Sequence, residues 1–366
     1  MKILWYAKNH SIGGDFIYSQ EVVRKLKSFG HEVYWVGFKE DFKCLADGVF
    51  TLPFYFRRPL FTIGKGPKRI REILLDLKPD VVHANLAFST DDFALVNVCR
   101  TLKIPLVITF HAPFNDSNSF WGIITRLGYI FYSRFFSKAN AVIIFSEPQK
   151  KYLVRYGVPK EKVHIVFNGV DTDKYKPGRQ AYKESLGAKL IILYCGRLET
   201  GKNARILVEA FKELNLPEKV KLVVVGGGLE ESSLRKLGEK DKNIIFTGYI
   251  SDESRKIEII QGSDIFVLPS EAEGMSLSLL EAMSCGLVPV TSNIISNMTV
   301  TGQAGLSVDL NNLKEDLKKV LLTLVKDEEK RKSMGELARE RVVTNFSLDG
   351  NVHELISIYN KLKEEK

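Results

Sequence analysis

Residues 265–286 read IFVLPSEAEGMSLSLLEAMSCG, in which an apolar run stops at Pro269 and a glycine-containing loop leads into a second apolar segment. The first run is short, rich in β-branched and aromatic residues and bounded by proline, which predicts a buried strand. The second segment predicts a helix that begins near Ser276 and ends at Gly286. A strand, a loop and a helix in this order form the repeating unit of a parallel sheet.

The same unit recurs along most of the chain, which predicts parallel sheets covered by helices on both faces. Between the first two predicted strands, Val22, Val23, Leu26 and Phe29 have helical spacing, and Gly30 is the expected C-terminal cap. The predicted strands are residues 2–7, 32–38, 81–84, 106–111, 141–146 and 164–167, then 190–195, 222–225, 243–246, 265–268 and 288–291.

Turn-forming residues 168–178 (NGVDTDKYKPG) interrupt this pattern and mark the expected domain boundary. A chain of 366 residues is also too long for one ordinary domain. We therefore predict two doubly wound, Rossmann-like α/β domains, residues 1–170 and 171–345. A terminal helix at 346–366 is expected to pack back toward the first domain. Ligands bind such sheets at the carboxyl ends of their strands, so the two domains would face each other across a cleft.

Composition argues against several other classes of protein. The apolar runs are far shorter than the roughly 18 residues of a membrane span, and the opening residues, MKILWYA, read as a strand rather than a secretory signal. Cys44, Cys99, Cys195 and Cys285 lack the spacing of a zinc site or a disulfide framework. The expectation is a cytoplasmic protein with reduced thiols.

Positive charge is concentrated in the first half of the chain. Residues 1–170 contain 24 Lys and Arg against 14 Asp and Glu, whereas the remainder contains 29 and 30. This asymmetry indicates that the first half meets a phosphate-bearing substrate or an anionic surface, such as the inner face of the cell membrane. The alternative is a solvated basic surface. No nucleic-acid motif accompanies the charges, so we expect no nucleic-acid partner.

Gly274 lies just before the helix predicted in the opening stretch. Free backbone N–H groups and the helix dipole form an anion site there, and a glycine permits close approach of a phosphate. Glu273 and Glu281 suit paired hydrogen bonds from sugar or ribose hydroxyls. Arg197 and Lys202 follow the first strand of the second domain and would neutralise a diphosphate. The alternative for each charged residue is a solvated surface group.

Two weaker signals in the second domain agree with a nucleotide ligand. Residues 225–229 (VGGGL) predict a closely packed turn from strand to helix. Tyr249 and Ile250 follow another strand, where their backbone groups would face a base.

Similar signals follow two strands of the first domain. Gly13 and Gly14 come after the first strand, and His111 ends a later one. His111 is either a functional imidazole or a satisfied loop histidine.

Together these residues resemble the retaining glycosyltransferases of glycosyltransferase family 4, the glycosyl transferases group 1 family, which have the GT-B fold. Two of the segments that carry the resemblance are specific, namely GRL with Lys202 and EG through EAM, and the others are individually weak. The segments are Gly13-Gly14, GHEV at 30–33, PDVVH at 79–83, TFH at 109–111, NGVD at 168–171, GRL at 196–198 with Lys202, and EG at 273–274 through EAM at 281–283.

The resemblance implies transfer of a sugar from a UDP- or GDP-sugar to a hydroxyl of a glycan or a lipid-linked acceptor, without a cofactor. Residues 1–170 would bind the acceptor and residues 171–345 the donor. The implied catalytic set is His111, Glu273, Arg197 and Lys202. For the donor, the resemblance implies that Arg197 and Lys202 bind the diphosphate, Glu281 the ribose and Glu273 the sugar. Backbone N–H groups would come from Gly274, Met275, Ser276 and Leu277, and the base would contact Tyr249 and Ile250. Gly13, Gly14 and His111 would approach the donor from the first domain.

Two positions depart from the family pattern. After Thr291, members often have two glycines followed by Pro-Glu, whereas residues 292–299 here read SNIISNMT. This change falls at the sugar pocket. Asn203 occupies a position that glycine frequently takes.

Asp171 and Asp173 match the Asp-x-Asp pattern with which another glycosyltransferase fold binds a metal, but they lie in the interdomain turn. The helix dipole, Arg197 and Lys202 already supply the positive charge that a metal would bring. We therefore expect metal-independent activity.

Two other functions are also compatible with the sequence. One is a non-catalytic nucleotide-sugar-binding protein whose altered loop after Thr291 has lost transfer, and the other is a nucleotide-sugar epimerase of the same fold. Binding without turnover would favour the first. The spacing of Glu273 and Glu281 favours transfer over epimerisation.

The acceptor side offers an aromatic, basic segment at residues 120–136 (FWGIITRLGYIFYSRFF). Its apolar groups occupy more than one face of the predicted helix, which suits a membrane interface or a lipid-linked acceptor. The alternative is a helix packed between the sheet and its neighbours. A basic cluster precedes it, formed by Arg57, Arg58, Lys65, Lys68, Arg69 and Arg71.

Overall fold

The computed structural model describes residues 1–7, 14–37, 46–52, 54–58, 61–64, 66–86, 89–112 and 120–365. The chain forms two compact units, Met1–Gly169 with Leu348–Lys366, and Val170–Ser347. Gly13, Cys44 and Lys65 lie outside the described residues. None of the helices in the described ranges is both long enough and apolar enough to cross a bilayer.

Strands and helices alternate through both units. The strands are β1 (Lys2–Tyr6), β2 (Glu32–Gly37), β3 (Gly48–Thr51), β4 (Phe54–Arg58), β5 (Phe61–Gly64), β6 (Val81–Asn85), β7 (Leu106–Thr109), β8 (Ala141–Ile144), β9 (Val163–Ile165), β10 (Leu190–Cys195), β11 (Val220–Val225), β12 (Ile244–Gly248), β13 (Ile265–Leu268), β14 (Val288–Ser292) and β15 (Leu306–Val308).

The helices are α1 (Gly14–Ser28), α2 (Pro67–Leu77), α3 (Thr90–Leu102), α4 (Phe120–Phe136), α5 (Glu147–Arg155), α6 (Ala181–Ser185), α7 (Ala204–Glu213), α8 (Glu231–Gly238), α9 (Glu253–Gln261), α10 (Leu277–Ser284), α11 (Ile295–Thr301), α12 (Leu313–Lys326), α13 (Glu328–Asn345) and α14 (Leu348–Glu364).

The first unit contains a parallel sheet that, among the described strands, has the order β3-β2-β1-β6-β7-β8-β9. Its central strands are buried along their length, as expected for a sheet covered on both faces. The strand order reverses direction between β1 and β6. The predicted doubly wound arrangement is therefore confirmed for this unit.

The second unit repeats the arrangement with a parallel sheet of order β12-β11-β10-β13-β14-β15, counted over the described strands. From β10 the chain proceeds outward through β11 to β12, then returns to place β13 on the other side of β10. The helices that follow β10 and β13, α7 and α10, consequently lie on opposite faces of the sheet. Such a switch point leaves a crevice at the carboxyl ends of the two strands.

Several predicted boundaries were too long, and short elements were not predicted. The predicted strands that ended at His111 and Ser146 stop at Thr109 and Ile144, and Ser146 instead caps α5 by accepting a hydrogen bond from the Gln149 backbone N–H. β3 and β15 have only four and three residues, most of them at least partly exposed, and so lack the buried apolar run that marks a central strand. The antiparallel β4–β5 hairpin was also not predicted.

The first predicted helix ends one residue earlier than its apolar spacing indicated. Gly30 adopts a φ of 80°, a left-handed conformation that terminates α1 at Ser28. Val22, Val23 and Leu26 are buried as predicted, but Phe29 lies beyond the helix and is 37% exposed.

The last helix, α14, packs in the first unit against α1 and the sheet. Asn351 accepts a hydrogen bond from the Tyr18 hydroxyl at 3.0 Å, and Asp349 pairs with Lys25 at 2.5 Å. Tyr359 reaches the buried His83 imidazole, with 2.5 Å between its hydroxyl and Nδ1. Residues at the end of the chain thus complete the core of the first unit.

His83 is fully buried, stacks on Trp5 and also contacts the Thr109 hydroxyl through Nε2 at 2.8 Å. Burial, together with the charge of His111, lowers the pKa of His83 to about 3. A neutral buried imidazole favours folding at neutral pH, because protonation would place a charge in the core. This contribution is present above the unfolded pKa of about 6.5 and is lost as pH falls toward 3.

As pH is lowered from 6 to 4, the unfolding free energy of the first unit should decrease more steeply in the wild type than in His83→Gln. We expect the two slopes to differ by about 1 kcal/mol per pH unit. All three tryptophans (Trp5, Trp35 and Trp121) lie in this unit, so urea denaturation followed by tryptophan fluorescence measures it directly. Equal pH slopes in the two proteins would contradict the assignment of a neutral buried His83.

Candidate functional site

Two loops meet at the switch point of the second unit. Residues 196–203 follow β10 and residues 269–276 follow β13. The Glu271 N–H donates to the Gly201 carbonyl at 2.9 Å, and the Asn203 side-chain amide donates to the Pro269 carbonyl at 3.0 Å. Asn203 has a φ of 53°, a left-handed conformation that asparagine tolerates better than most residues. This explains how Asn203 stands where glycine was expected, and it adds a hydrogen bond between the loops.

The N-terminus of α10 opens onto these loops. Ser276 is the N-cap, and its hydroxyl accepts the Leu279 N–H at 3.3 Å. The first-turn amides of Leu277 and Ser278 have no carbonyl partner within the helix. Gly274, Met275, Ser276 and Leu277 are each partly exposed. The structure therefore presents a helix N-terminus suited to an anion where the sequence predicted one.

Lys202 and Glu273 lie at this terminus as an ion pair. Lys202 Nζ is 2.7 Å from Glu273 Oε1, and the two side chains are only 17% and 13% exposed. Nζ also lies 3.4 Å from the Ala272 carbonyl oxygen. The prediction assigned the two residues to different parts of a ligand, whereas here they neutralise each other.

Arg197 is arranged differently from Lys202. Its guanidinium is 56% exposed and pairs with Glu199 at 2.9 Å. An exposed pair of this kind contributes little to stability, so the Arg197 side chain is available to move. Its backbone is fixed, because the Arg197 carbonyl accepts the buried Tyr194 hydroxyl at 2.8 Å.

Glu281 lies in the second turn of α10 and is almost completely buried. Its Oε1 is 2.7 Å from Lys256 Nζ on α9, with side-chain exposures of 6% and 18%. Burial acts to lower the pKa of Lys256, but the Glu281 carboxylate outweighs it and the pKa is raised. Burial and the carboxylates of Glu281 and Glu253 raise the pKa of Tyr175 far above its ordinary value. Lys256 is therefore a cation and Tyr175 a neutral donor beside Glu281.

The glycine turn after β11 is closely packed against the loop after β10. Gly226 and Gly228 have φ values of 137° and 154°, and a Cβ there would lie 1.9 Å from the Gly196 carbonyl oxygen and 2.4 Å from that of Leu198. The Leu198 N–H donates to the Gly227 carbonyl at 2.9 Å. Only glycine fits this approach. Next to this turn, Tyr249 is exposed and Ile250 half-exposed after β12.

The segment that departs from the family pattern forms its own link to the loop after β13. The Ser292 hydroxyl donates to the Ser270 carbonyl at 2.5 Å, and the Asn297 side-chain amide donates to the Ser292 hydroxyl at 3.0 Å. All three residues are buried. The replaced segment is thus an ordered part of the second unit.

The Asp-x-Asp residues serve as turn formers. Asp171 Oδ1 accepts the backbone N–H groups of Asp173 and Lys174 at 3.1 and 3.0 Å. No group of three metal-ligating side chains is found within the described part of the chain.

In the first unit, His111 lies in an aromatic setting between Tyr18 and Phe145, with ring centroids 5.2 Å away in each case. Its Nε2 is buried without a hydrogen-bond partner. Burial, partly offset by the Asp15 carboxylate, lowers the pKa of His111 to about 4, so the imidazole is neutral at pH 7. Gly14 is exposed and begins α1.

Lys256 and Tyr175 were not predicted as site residues. Lys256 shares the inner face of α9 with Ile259 and Ile260, at i+3 and i+4. A lysine at an apolar position of a helix was the available signal, because buried lysines need a partner.

Comparisons with known proteins agree with this architecture. The family model described as Glycosyltransferase Family 4 matches residues 12–174, and the model described as Glycosyl transferases group 1 matches residues 179–341. The crystal structure of Anabaena Alr3699/HepE in complex with UDP and glucose superposes with a TM-score of 0.81 at 17% identity, covering 99% of this chain and all of that one. The chain belongs to the GT-B glycosyltransferases of family 4.

Two curated relatives align with only part of this chain and part of their own length. The uncharacterized glycosyltransferase MJ1069 of Methanocaldococcus jannaschii is 30% identical over 62% of this chain and 60% of its own length. The sulfoquinovosyl transferase SQD2 of Arabidopsis thaliana is 27% identical over 88% of this chain and 65% of its own length. The alignments thus span less than two-thirds of either relative.

Proposed function

We propose that the protein transfers a sugar from a UDP- or GDP-sugar to a hydroxyl acceptor. The observation that carries this proposal is the convergence of Lys202, Glu273, Glu281 and the N-terminus of α10 at the switch point of the second unit. A diphosphate fits the helix terminus and the lysine, and ribose and sugar hydroxyls fit the two carboxylates. HepE, which shares the fold, was solved with UDP and glucose.

Donor binding begins with an exchange of partners at Lys202. Its ammonium leaves Glu273 for the diphosphate, which carries more negative charge and lies at the positive end of α10. Glu273 then accepts hydroxyl hydrogen bonds from the sugar. Arg197, whose own pair is exposed, turns onto the same diphosphate. The ion pair of the free protein therefore holds both side chains in place until the donor arrives.

The proposed reaction breaks the bond between the anomeric carbon and the diphosphate oxygen and forms a bond from that carbon to the acceptor oxygen. The acceptor's proton passes to the departing diphosphate oxygen. Attack occurs on the face that the diphosphate leaves, through an oxocarbenium-like state, so the anomeric configuration is retained. Glu273 binds hydroxyls and is not a covalent nucleophile, and Lys202, Arg197 and the helix terminus stabilise the growing negative charge. His111 would approach the donor as a neutral imidazole, in keeping with its lowered pKa.

The same positive groups make a metal ion unnecessary for the departure of the diphosphate. The first unit would bind the acceptor, a glycan or a lipid-linked molecule. We further propose that it touches an anionic membrane surface. Ile123, Leu127 and Phe131 form an exposed apolar stripe at i, i+4 and i+8 of α4, with Arg134 exposed at the end of the helix.

Calorimetric titration with UDP and GDP, with chelator present, should show tight binding of one nucleotide. Lys202→Ala and Glu281→Ala should each weaken it at least tenfold, or about 1.4 kcal/mol, because each removes a charged contact. Lys221→Ala and Glu258→Ala, which change partly exposed residues elsewhere in the second unit, serve as matched controls and should bind normally. Absence of binding by either nucleotide would overturn the donor site.

With an α-linked donor and a productive acceptor, the product should be α-linked, as read from the anomeric proton coupling in NMR, and the rate should be unchanged by chelator. An inverted product or a covalent sugar on Glu273 would contradict the proposed chemistry. A strict requirement for Mn²⁺ or Mg²⁺ would contradict the metal-free account. Tight binding without turnover across a broad acceptor set would identify a non-catalytic nucleotide-sugar-binding protein instead.

In flotation with vesicles of anionic and zwitterionic phospholipid, the protein should co-migrate at low salt and separate from the vesicles at high salt, because the attraction is screened. Leu127→Ser and Phe131→Ser should reduce the bound fraction. Leu337→Ser and Val343→Ser, which alter comparably exposed apolar residues on α13, should not. No co-migration at low salt would exclude the membrane partner.

A further inference from the structure

We propose that Lys256 is a positioning residue for nucleotide recognition, which fixes the Glu281 carboxylate to accept the ribose hydroxyls and thereby sets the preference for ribonucleotides over deoxyribonucleotides. The inference rests on the proposed function, because it deepens the donor site described above. The resemblance to the family assigned no role to Lys256.

The position of Lys256 is set by its helix. Asp252 caps α9 by accepting the Ser254 N–H at 3.0 Å, and Ile259 and Ile260 bury the inner face of the helix. Lys256 is on that same face, so its side chain extends toward α10 and places Nζ 2.7 Å from Glu281 Oε1. A charged residue at an otherwise apolar helix position costs stability unless a partner compensates for it. In this chain the partner is Glu281, the residue expected to bind the ribose.

Tyr175 also restrains the Lys256–Glu281 pair. The Lys256 ammonium lies 5.4 Å from the centre of its ring, and the Tyr175 hydroxyl donates to Glu253 at 3.2 Å. Lys174 pairs with the same Glu253 carboxylate at 2.5 Å. Two lysines and two glutamates are therefore linked around Tyr175, and their formal charges sum to zero.

The backbone beneath this cluster is fixed as well. Arg339 on α13 donates to the Tyr175 and Ser284 carbonyls at 2.8 and 2.7 Å, and the Ser284 hydroxyl donates to the Tyr175 carbonyl at 2.5 Å. Ser284 is the last residue of α10, the helix that carries Glu281. The ribose carboxylate is thus held by its own helix, by Lys256 and by the segment around Tyr175.

This arrangement has a chemical consequence for the ligand. An isolated buried carboxylate takes up a proton and then accepts fewer hydrogen bonds. Lys256 donates to Glu281 Oε1 at 2.7 Å and so fixes the rotation of the carboxylate, which retains lone pairs for further donors. Adjacent ribose hydroxyls are such donors, and charge-assisted hydrogen bonds to them are strong. Without Lys256 the carboxylate loses its fixed orientation, so the loss of affinity falls on the ribose hydroxyls and not on the diphosphate.

A second buried ion pair in the same unit provides the comparison for a purely structural role. Lys183 Nζ lies 2.6 Å from Asp264 Oδ1, with exposures of 10% and 20%, and Asp264 also accepts the Ile191 N–H at 2.8 Å. That pair joins α6 to the start of two strands and contacts none of the site residues. Lys183→Met is therefore the matched control for Lys256→Met.

The experiment compares the dissociation constants of UDP and 2′-deoxy-UDP by calorimetry on the full chain with chelator present, or of the guanine pair if GDP is the preferred nucleotide. We expect the wild type to favour the ribonucleotide by at least about tenfold. Lys256→Met should bring that ratio below about twofold, by weakening the ribonucleotide while leaving the deoxynucleotide nearly unchanged. Lys256→Arg should restore part of the preference, and Lys183→Met should retain all of it.

A double variant distinguishes loss of the Lys256–Glu281 interaction from a general loss of stability. Adding Lys256→Met to Glu281→Gln removes both charges, and should change the ratio no further than Glu281→Gln alone if Lys256 acts through Glu281. Equal weakening of both nucleotides by Lys256→Met, or an unchanged ratio, would overturn the role of Lys256 and leave the donor site standing. If the wild type bound neither UDP nor GDP, the proposed function and this inference would both fail.

Discussion

The reversal of strand order between β10 and β13 is the constraint on which the rest of the second unit depends. Because the chain leaves these neighbouring strands toward opposite faces of the sheet, no crossover covers their carboxyl ends. The loops that follow them are joined by the hydrogen bonds of Asn203 and Glu271. The N-terminus of α10 therefore opens at a rigid edge of the sheet. Its position, more than any single side chain, defines the diphosphate site that we propose.

Electrostatic compensation is the second constraint. Two of the three carboxylates of the opening sequence, Glu273 and Glu281, are paired with lysines at 2.7 Å. The Lys202–Glu273 pair lies in the loop, where its members can exchange partners for a ligand. The Lys256–Glu281 pair lies deeper and is held by surrounding helices, which suits the fixed acceptor that we propose. The proposed site thus combines one pair that we assign to phosphate and sugar with a second, more rigid pair that we assign to ribose.

The sequence predicted the parts of this structure that depend on local pattern. The strand, loop and helix of residues 265–286 are found within one or two residues of their predicted bounds, because burial, proline and the Ser276 cap all indicate the same boundaries. The GT-B architecture and the family were likewise correctly identified from short motifs at the ends of strands.

The remaining features depend on contacts between distant residues, which one sequence does not contain. Lys256 and Glu281 are 25 residues apart, and their pairing follows from how α9 rotates against α10. The pairing of Lys202 with Glu273 joins residues 71 apart, so they were read as separate ligand contacts. Edge strands such as β15 were missed because half-exposed residues give no apolar run. The pattern thus indicated candidate site residues and gave little about how they are paired.

The most direct test of the central claim is a crystal structure of the protein with UDP and, separately, GDP, grown with chelator present. The account predicts that one of them places its diphosphate at the N-terminus of α10, with Lys202 moved from Glu273 onto a phosphate oxygen and the ribose hydroxyls on Glu281. A nucleotide bound elsewhere, or one bound while Lys202 and Glu273 remain paired, would contradict the account.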